Sequence, residues 1–276
     1  MSNILVVGAS GKLGRILRSL WEGTEAGARV SGWIGRDHPG YRLWTETGQA
    51  GGLGQAETVL AMWGVTAGTP EELADNALLA RRATELARAV GARRVIHMSS
   101  AAVYGGGGRL WTETDTPAPR NPYGAAKALM EREIAKLGGT PASCALRLAN
   151  VAGADMLFSN LALGNDIVLD RFPDGGGPLR SYVAPSDLAA ALLRLSDLPP
   201  EDLPPVLNLA GPAPVAMDGI LAAAGRTPSW RPAPQDALQS MAISDSFWRR
   251  IGPPLVASAD PERLVAEWRT LMEPVT

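Results

Sequence analysis

The sequence has little of what marks a secreted, membrane or metal-binding protein. Its 276 residues include one cysteine, Cys144, which excludes an internal disulfide and favours a reducing compartment. The two histidines, His38 and His97, do not have the spacing of metal ligands, so we predict no metal site. The first apolar run, ILVV, stops at Gly8, far short of the ~20 residues that cross a bilayer. We expect no signal peptide, no membrane segment and a cytoplasmic location.

An excess of charge of one sign is also missing. The chain has 26 Lys and Arg residues against 28 Asp and Glu, a formal net charge of -2, and no dense basic run. We therefore expect neither nucleic acid nor an anionic membrane as a partner. A hydrophobic fraction of 46% is ordinary for a globular protein, and the length suits either one large α/β domain or a domain with a smaller cap.

The N-terminal segment NILVVGASGKLGRILRSLW predicts a strand, a glycine turn and a helix. A strand that is apolar on both faces is typical of a parallel sheet. In the GxxGxxG pattern the first glycine allows a sharp turn, the second a close approach to pyrophosphate, and the third tight packing of the helix on the strand. The helix N-terminus then faces the phosphates. We predict a dinucleotide site on this loop, formed by Gly8, Ser10, Gly11, Lys12, Leu13 and Gly14.

The segment after the second predicted strand, ARVSGWIGRD, bears on the choice of cofactor. NAD-binding folds usually place an acidic residue about 20 positions beyond the glycines, but position 34 is Ile and Arg36 follows. Arg36 suits a ribose 2′-phosphate, which slightly favours NADP over NAD, although an exposed loop arginine explains it equally well. For residues 38–55 the sequence predicts only a shortened edge of the sheet. Trp63 ends the next buried strand and is expected to narrow the adenine side of the cofactor cleft.

The clearest helix is TPEELADNALLARRATELARAVG. Thr69 and Glu72 form a capping box, Pro70 fits the first turn, and Gly91 ends the helix. Its apolar positions cover more than one stripe, which predicts packing on the sheet and on a second element.

The stretch from Met98 to Lys127 carries the candidate chemistry. Tyr123 and Lys127 stand four apart in NPYGAAK and share a helical face. A YxxxK spacing alone is common and is typical of a solvated lysine beside a packed tyrosine. However, one cation at about 6 Å, in an effective dielectric of about 20, favours a phenolate by roughly 3 kcal/mol, about 2 pKa units. Lys127 and an oxidised nicotinamide ring would together bring the pKa of Tyr123 towards neutrality, where a general base works best. Ser100, at the end of the preceding strand, can hydrogen-bond the same substrate oxygen.

The segments SSAAVYG and NPYGAAKALME together resemble the extended short-chain dehydrogenase/reductase family, the NAD(P)-dependent epimerases and dehydratases typified by UDP-galactose epimerase. The resemblance implies an α/β fold: a Rossmann-type doubly wound parallel sheet with a small C-terminal substrate-binding cap. It also implies catalytic roles for Ser100, Tyr123 and Lys127, and Tyr104 matches a family position outside this triad. The cofactor-binding prediction comprises the six loop residues together with Arg36, Trp63, Ser99, Tyr123 and Lys127.

The second half of the chain resembles the family more loosely. RLANVAG places Asn150 where an asparagine often contacts the substrate, and GGPLRSYVAPSDL nominates Arg180 for a nucleotide pyrophosphate. The relatives' Asp and His near that arginine are replaced here by Ser181 and Ala184. With Ser100, these two residues complete the predicted substrate site. The predicted division assigns 1–150 and 181–212 to the dinucleotide-binding domain, and 151–180 and 213–276 to the cap.

The predicted function is that of an NAD(P)-dependent oxidoreductase acting on a sugar hydroxyl or ketone, similar to a nucleotide-sugar epimerase. Dehydratases of the family need Asp and Glu after the catalytic hydroxyl, and the presence of Ala101 and Ala102 argues against dehydration. Two alternatives remain: an NADPH-dependent reductase of a keto-sugar or small ketone, and a non-catalytic dinucleotide sensor, against which the intact triad argues. The resemblance also implies a homodimer formed by the long helix and the helix of Tyr123, where an ordinary intramolecular contact is the alternative.

Overall fold

The computed structural model describes residues 3–36, 42–43 and 53–272 of the chain. The strands, in chain order, are β1 (Ile4–Val7), β2 (Val30–Gly35), β3 (Arg42–Leu43), β4 (Thr58–Ala61), β5 (Arg94–Ser100), β6 (Leu110–Trp111), β7 (Ala142–Leu148), β8 (Asn150–Val151), β9 (Val168–Arg171), β10 (Leu179–Arg180), β11 (Tyr182–Val183), β12 (Val206–Leu209), β13 (Val215–Ala216), β14 (Ser229–Pro232) and β15 (Ser240–Ile243).

The α-helices are α1 (Lys12–Trp21), α2 (Glu25–Ala28), α3 (Pro70–Ala89), α4 (Pro122–Leu137), α5 (Met156–Ala162), α6 (Pro185–Asp197), α7 (Met217–Ala223) and α8 (Pro261–Met272). Short 3₁₀ helices span Ala101–Tyr104, Pro200–Asp202, Trp248–Arg250 and Val256–Ala259.

A parallel sheet forms the centre of the fold, with the strand order β12-β7-β5-β4-β1-β2-β3. From β1 the chain proceeds first to β2 on one side and later to β4 on the other, so the strand order reverses beside β1. At such a switch point the loops after neighbouring strands diverge and leave a crevice at the carboxyl edge of the sheet, where ligands bind in doubly wound folds. The predicted Rossmann-type architecture is therefore confirmed, including a fully buried β1.

The long helix α3 begins as the sequence predicts. Thr69 caps it, with Glu72 completing the capping box, and Gly91 follows its end with a φ of +71°. Its buried side packs on β4 and β5, and it also packs along α4. The second element that its broad apolar surface requires is thus α4 of the same chain.

Outside the central sheet the chain forms short strands. They form a four-stranded sheet, β13-β10-β15-β6, and two pairs, β11-β8 and β14-β9. Phe158 and Tyr182 lie at the centre of a hydrophobic cluster here, and Trp268 packs edge-on against Phe158. Strand β6 comes from the loop between Tyr104 and α4, so the first half of the chain contributes to the sheet that carries Arg180.

The cysteine, one histidine and one tryptophan of the chain are buried packing residues. Cys144 and His97 lie inside central strands, where burial raises the pKa of the thiol and, with the nearby Lys127 charge, lowers the pKa of His97 to about 3. Trp248 is 1% exposed and donates its indole hydrogen to the Pro253 carbonyl. His38 lies outside the described residues, as does most of 38–55. No helix in the described part of the chain is both long and apolar enough to cross a bilayer.

Candidate functional site

The glycine loop after β1 follows directly from steric requirements. Gly8 has a φ of +82°, a conformation that favours glycine, and a Cβ there would lie 2.6 Å from the Met62 carbonyl carbon. A Cβ on Gly14 would lie 2.5 Å from the Cα of Ala9, so a larger residue would push α1 away from the end of β1. Gly11 donates its N–H to the Gly8 carbonyl at 3.0 Å and closes the turn. The three glycines therefore hold a helix N-terminus at the switch point.

A cavity of about 570 Å³, here called the loop cavity, opens above this turn. Within the described residues its lining contains three basic side chains, those of Lys12, Arg15 and Arg36, and no acidic one. Ile34, at the end of β2, is 1% exposed and offers no carboxylate. The lining comprises Gly8, Ser10, Gly11, Lys12, Arg15, Ile34, Gly35, Arg36, Met62, Trp63 and Gly64.

Ser10 accepts hydrogen bonds from both arginines that line the loop cavity. Its carbonyl oxygen accepts from Arg15 Nη1 at 2.6 Å, and its hydroxyl accepts from the backbone N–H of Arg36 at 3.0 Å. Arg15 was not among the residues that the sequence nominated. The one feature of the sequence that could have identified Arg15 is its position one helical turn after Gly11. The Gly11 carbonyl accepts from the Arg15 N–H at 2.9 Å.

A second cavity of about 480 Å³, the catalytic cavity, adjoins the first. Both cavities are lined by Gly11, Lys12, Met62, Trp63 and Gly64, so Trp63 lies at their junction. The catalytic cavity brings together Ser99, Ser100, Tyr123, Lys127 and Asn150 with Leu13 of the glycine loop. Gly14 lies beneath the loop, and Arg180 lines neither cavity.

Close packing of α4 brings Tyr123 to Ser100. A Cβ on Gly124 would lie 3.0 Å from the Ala102 carbonyl carbon, so this glycine lets α4 contact the 3₁₀ turn directly after Ser100. Asn121 caps the helix by accepting from the Gly124 N–H at 2.7 Å. The Ser100 hydroxyl accepts from the Ala102 N–H at 3.2 Å and lies near the Tyr123 side chain. Burial raises the pKa of Tyr123, and the neighbouring Ser100 hydroxyl opposes that rise only in part.

Lys127 is almost fully buried, with 3% exposure. Its Nζ lies 5.9 Å from the centre of the Tyr123 ring, close to the distance assumed in the sequence prediction, and donates to the Met98 carbonyl at 2.8 Å. Burial lowers the pKa of Lys127 to about 8, against the opposing effect of Glu131. The pKa of Tyr123 in the protein alone is therefore shifted upwards, opposite to the direction expected for the complete site.

A buried polar network lies directly behind the triad. Glu131 accepts three bonds from Arg147 Nε and Nη2, the shortest at 2.7 Å, and a fourth from the Ser99 hydroxyl at 2.6 Å. Arg147 also donates to the Tyr104 hydroxyl at 2.6 Å, and this hydroxyl lies 2.8 Å from Asn208 Oδ1. The Ser99 side chain is thus directed to Glu131, and the network ties α4 to the ends of β5 and β7.

Asn150 belongs to a second polar group, which includes a residue that the sequence analysis missed. It stands opposite Tyr182 in the pairing of β8 with β11, and the Tyr182 hydroxyl donates to Asp155 Oδ2 at 3.0 Å. Asp155 caps α5 by accepting from the Phe158 N–H at 3.0 Å and lines the catalytic cavity. The sequence signal is an Asp directly before the short apolar helix MLFSNLA, which indicates a helix cap rather than a site.

Arg180 is oriented towards the protein backbone. Its Nη1 donates to the carbonyls of Leu179 and Gln239 at 2.7 and 2.8 Å, and its Nη2 donates to Leu238 at 3.1 Å. Burial lowers the pKa of this guanidinium. These bonds hold β10 against the segment leading into β15, so a diphosphate would compete with three carbonyl oxygens for the same donors.

Solved structures share this fold over nearly the whole chain. MoeE5 in complex with UDP-glucuronic acid and NAD is 20% identical with a TM-score of 0.75, covering 98% of this chain and 100% of its own. RMD from Pseudomonas aeruginosa complexed with NADPH is 18% identical with a TM-score of 0.73, covering 98% and 99%. A UDP-galactose 4-epimerase is 20% identical with a TM-score of 0.68, covering 99% and 100%. At these identities the similarity establishes the fold.

No curated protein sequence matches the chain. The family model described as "NAD dependent epimerase/dehydratase family" matches residues 55–210, from the residues preceding β4 to the end of β12. This segment includes Ser100, Tyr123, Lys127 and Asn150 and spans more than half of the chain. The chain therefore belongs to the NAD dependent epimerase/dehydratase family of enzymes.

Proposed function

We propose that the protein is an NADP-dependent oxidoreductase that acts on a sugar hydroxyl or ketone, with Tyr123 as the group that exchanges the proton. One observation carries this proposal: Ser100, Tyr123 and Lys127 line a cavity that adjoins the glycine loop. A bound nicotinamide ring would supply the hydride acceptor or donor. Ser100 orients the substrate oxygen, and Tyr123 removes a proton from it or returns one.

Lys127 has two roles in this proposal. Its ammonium is close enough to the Tyr123 ring to stabilise a phenolate, and it lies at the cavity wall where the cofactor ribose would be held. With a pKa of about 8 it remains mostly protonated at neutral pH. It therefore supplies the positive charge that Tyr123 needs when its proton leaves.

The loop cavity fits the remainder of the dinucleotide. The backbone beside Gly8 and Gly11 leaves room for a pyrophosphate at the N-terminus of α1. Arg15, whose Nη1 donates to Ser10, and Arg36, whose backbone N–H donates to Ser10, both line the loop cavity and suit the 2′-phosphate of NADP. Ile34 lacks the carboxylate that would bond the ribose of NAD. These residues support NADP over NAD.

For the substrate we propose a nucleotide sugar, processed by an epimerase-like reaction in which hydride returns to the opposite face of a keto intermediate. Support comes from the family and from Asn150 in the cavity wall, with Arg180 as the remaining candidate for a diphosphate contact. MoeE5, which shares the fold, has been solved with UDP-glucose and NAD.

A second candidate is a reductase of a keto-sugar or small ketone that carries no nucleotide. The observation favouring it is that Arg180 already donates to three backbone carbonyls. Ala101 and Ala102 in the turn after Ser100 provide no carboxyl group for a dehydration step.

Calorimetry and turnover assays test these proposals together. Wild-type protein should bind NADP more tightly than NAD and, with cofactor bound, should also bind UDP. Arg180→Ala should weaken the binding of UDP and leave the binding of the dinucleotide unchanged. Binding of no nucleotide by the wild type, or equal UDP binding by Arg180→Ala, would favour the reductase. Tight dinucleotide binding with no hydride transfer to or from UDP-glucose, UDP-galactose or a free keto-sugar would instead favour a sensor.

We also propose a homodimer in which α3 and α4 pack against their counterparts in a second copy. Leu78 on α3 is 43% exposed, although its helix already packs on α4 of the same chain. Light scattering should give twice the chain mass for the wild type and a monomer for Leu78→Glu. A monomeric wild type would leave the contact between the two helices purely intramolecular.

A further inference from the structure

Asp155 places a carboxyl group in the wall of the catalytic cavity. Of the residues that line this cavity in the described part of the chain, it is the only acidic one. It stands at the start of α5, directly after β8 and its turn, in the same wall as Asn150. Tyr123 and Ser100 line the same space, so a molecule filling the cavity meets both the proton-transfer group and this carboxyl.

The hydrogen bonds of Asp155 leave acceptor capacity unused. Among the described residues, Oδ1 has the Phe158 N–H as its donor and Oδ2 has the Tyr182 hydroxyl. A carboxylate offers about four lone-pair positions, so roughly two remain for other donors. Since the side chain is only partly buried at the cavity wall, those positions are accessible to a ligand.

The charges around Asp155 do not neutralise it. Lys12 is the nearby cation, but its Nζ donates to the Ala154 carbonyl at 3.2 Å and to the Ser159 hydroxyl at 2.8 Å. Tyr182 faces the carboxyl from β11, and the nearby Arg180 donates its hydrogen bonds to backbone carbonyls rather than to Asp155. Burial raises the pKa of Asp155 to about 6, against the opposing effects of Phe158, Tyr182 and Lys12. The carboxylate is therefore charged at neutral pH and incompletely paired, as is typical of functional sites.

We propose that Asp155 is a specificity-determining residue, whose carboxylate accepts hydrogen bonds from a hydroxyl or, more strongly, an ammonium group on the sugar portion of the substrate. The inference rests on the proposed function, since it takes the catalytic cavity as the place where the sugar binds. It adds a substrate requirement: the part of the ligand beside α5 donates hydrogen bonds. A phosphate at this position would place two negative charges together.

Glucose and glucosamine are the matched probes for this requirement, because they differ in one hydroxyl that is replaced by an ammonium group. Dissociation constants would be measured by saturation-transfer NMR at about pH 7 with NADP bound to the protein. An ammonium adds a second ionised partner and strengthens the bond to the carboxylate, and a gain of about 1 to 1.4 kcal/mol would make the wild type prefer glucosamine roughly 5 to 10-fold. Asp155→Asn should bind the two sugars equally.

Two further variants separate recognition from folding and from general charge. Asp166→Asn removes the same charge from an exposed position in the same region and should keep the wild-type preference. Tyr182→Phe removes the bond that lowers the pKa of Asp155. The glucosamine preference, which in the wild type should disappear below about pH 6, should then disappear at a higher pH. This second variant keeps the test available if Asp155→Asn does not fold.

A wild type that binds neither sugar, or binds both equally, would overturn the inference, as would an unchanged preference in Asp155→Asn. Failure of the proposed function is distinguishable, because Tyr123→Phe should lose hydride transfer and keep the glucosamine preference. Hydride transfer with no role for Asp155 would leave the proposed function standing. A glucosamine preference that depends on Asp155, found without hydride transfer to any substrate, would support the role of Asp155 in binding and contradict the proposed oxidoreductase function.

Discussion

The Lys127 ammonium lies 5.9 Å from the centre of the Tyr123 ring, yet its hydrogen bond goes to the Met98 carbonyl. Burial raises the pKa of Tyr123 and lowers that of Lys127 to about 8. Both shifts have the same cause, since a low-dielectric site disfavours each charged form. Activation of Tyr123 therefore depends on a further positive charge, which an oxidised nicotinamide ring would provide.

Tyr123→Phe should reduce turnover at least about 10²-fold, because it removes the positioned proton-transfer group. The Phe ring keeps the contacts of the partly buried side chain, and the glycine loop is untouched, so the NADP dissociation constant should barely change. Steady-state kinetics and calorimetry on the same preparation would measure both quantities. A folded variant with wild-type turnover would contradict the role of Tyr123.

Arg36→Ala and Arg15→Ala should each weaken NADP binding and leave NAD binding nearly unchanged. Loss of a charge-assisted hydrogen bond to phosphate corresponds to about 1.5 to 3 kcal/mol, roughly 10 to 150-fold in affinity. Arg18→Ala is the matched control, because Arg18 stands on the same helix and pairs with Glu22 at 3.6 Å. Tighter binding of NAD than of NADP by the wild type would show that the two arginines do not select the cofactor.

Glu131→Gln should destabilise the fold by about 3 to 5 kcal/mol, because it leaves the buried Arg147 charge without its partner. The same change should disturb the end of β5, where Ser99 donates to Glu131. Denaturant unfolding would measure the loss, with Glu85→Gln on the exposed side of α3 as a control that changes little. Equal stability of the two variants would mean that the network contributes no more than a surface charge.

The sequence predicts the sheet, the glycine loop, α3 with its caps and the shared helical face of Tyr123 and Lys127, because each depends on residues close together in the chain. It does not predict how side chains from distant segments share partners. The three carbonyls around Arg180 come from β10 and from the segment before β15, about 60 residues further along the chain, as the bond to Gln239 illustrates. Asp155 owes its raised pKa to burial, which its contact with Tyr182 only partly offsets, and no local pattern encodes either effect.

Asp155→Asn should stabilise the protein at neutral pH, with the gain shrinking in acid. Because the pKa of this carboxyl is raised from 3.8 to about 6, the native state holds a proton in this window that the unfolded chain releases. Stability contributed by Asp155 is therefore present below pH 3.8 and lost as the pH rises through about 6. Asn keeps the helix cap but carries no charge, so at about pH 7 the variant should gain roughly 1 to 3 kcal/mol.

Urea unfolding at about pH 7, 5 and 4 would test this, because the linkage predicts that the wild type and Asp155→Asn converge towards the lowest value. Asp166→Asn, which removes an exposed charge, should show no such convergence. If Asp155→Asn were less stable than the wild type at neutral pH, the carboxylate would be a stabilising structural group. If Asp155→Asn were more stable than the wild type at neutral pH but lost the preference for glucosamine, the charge would be retained for binding at the expense of stability.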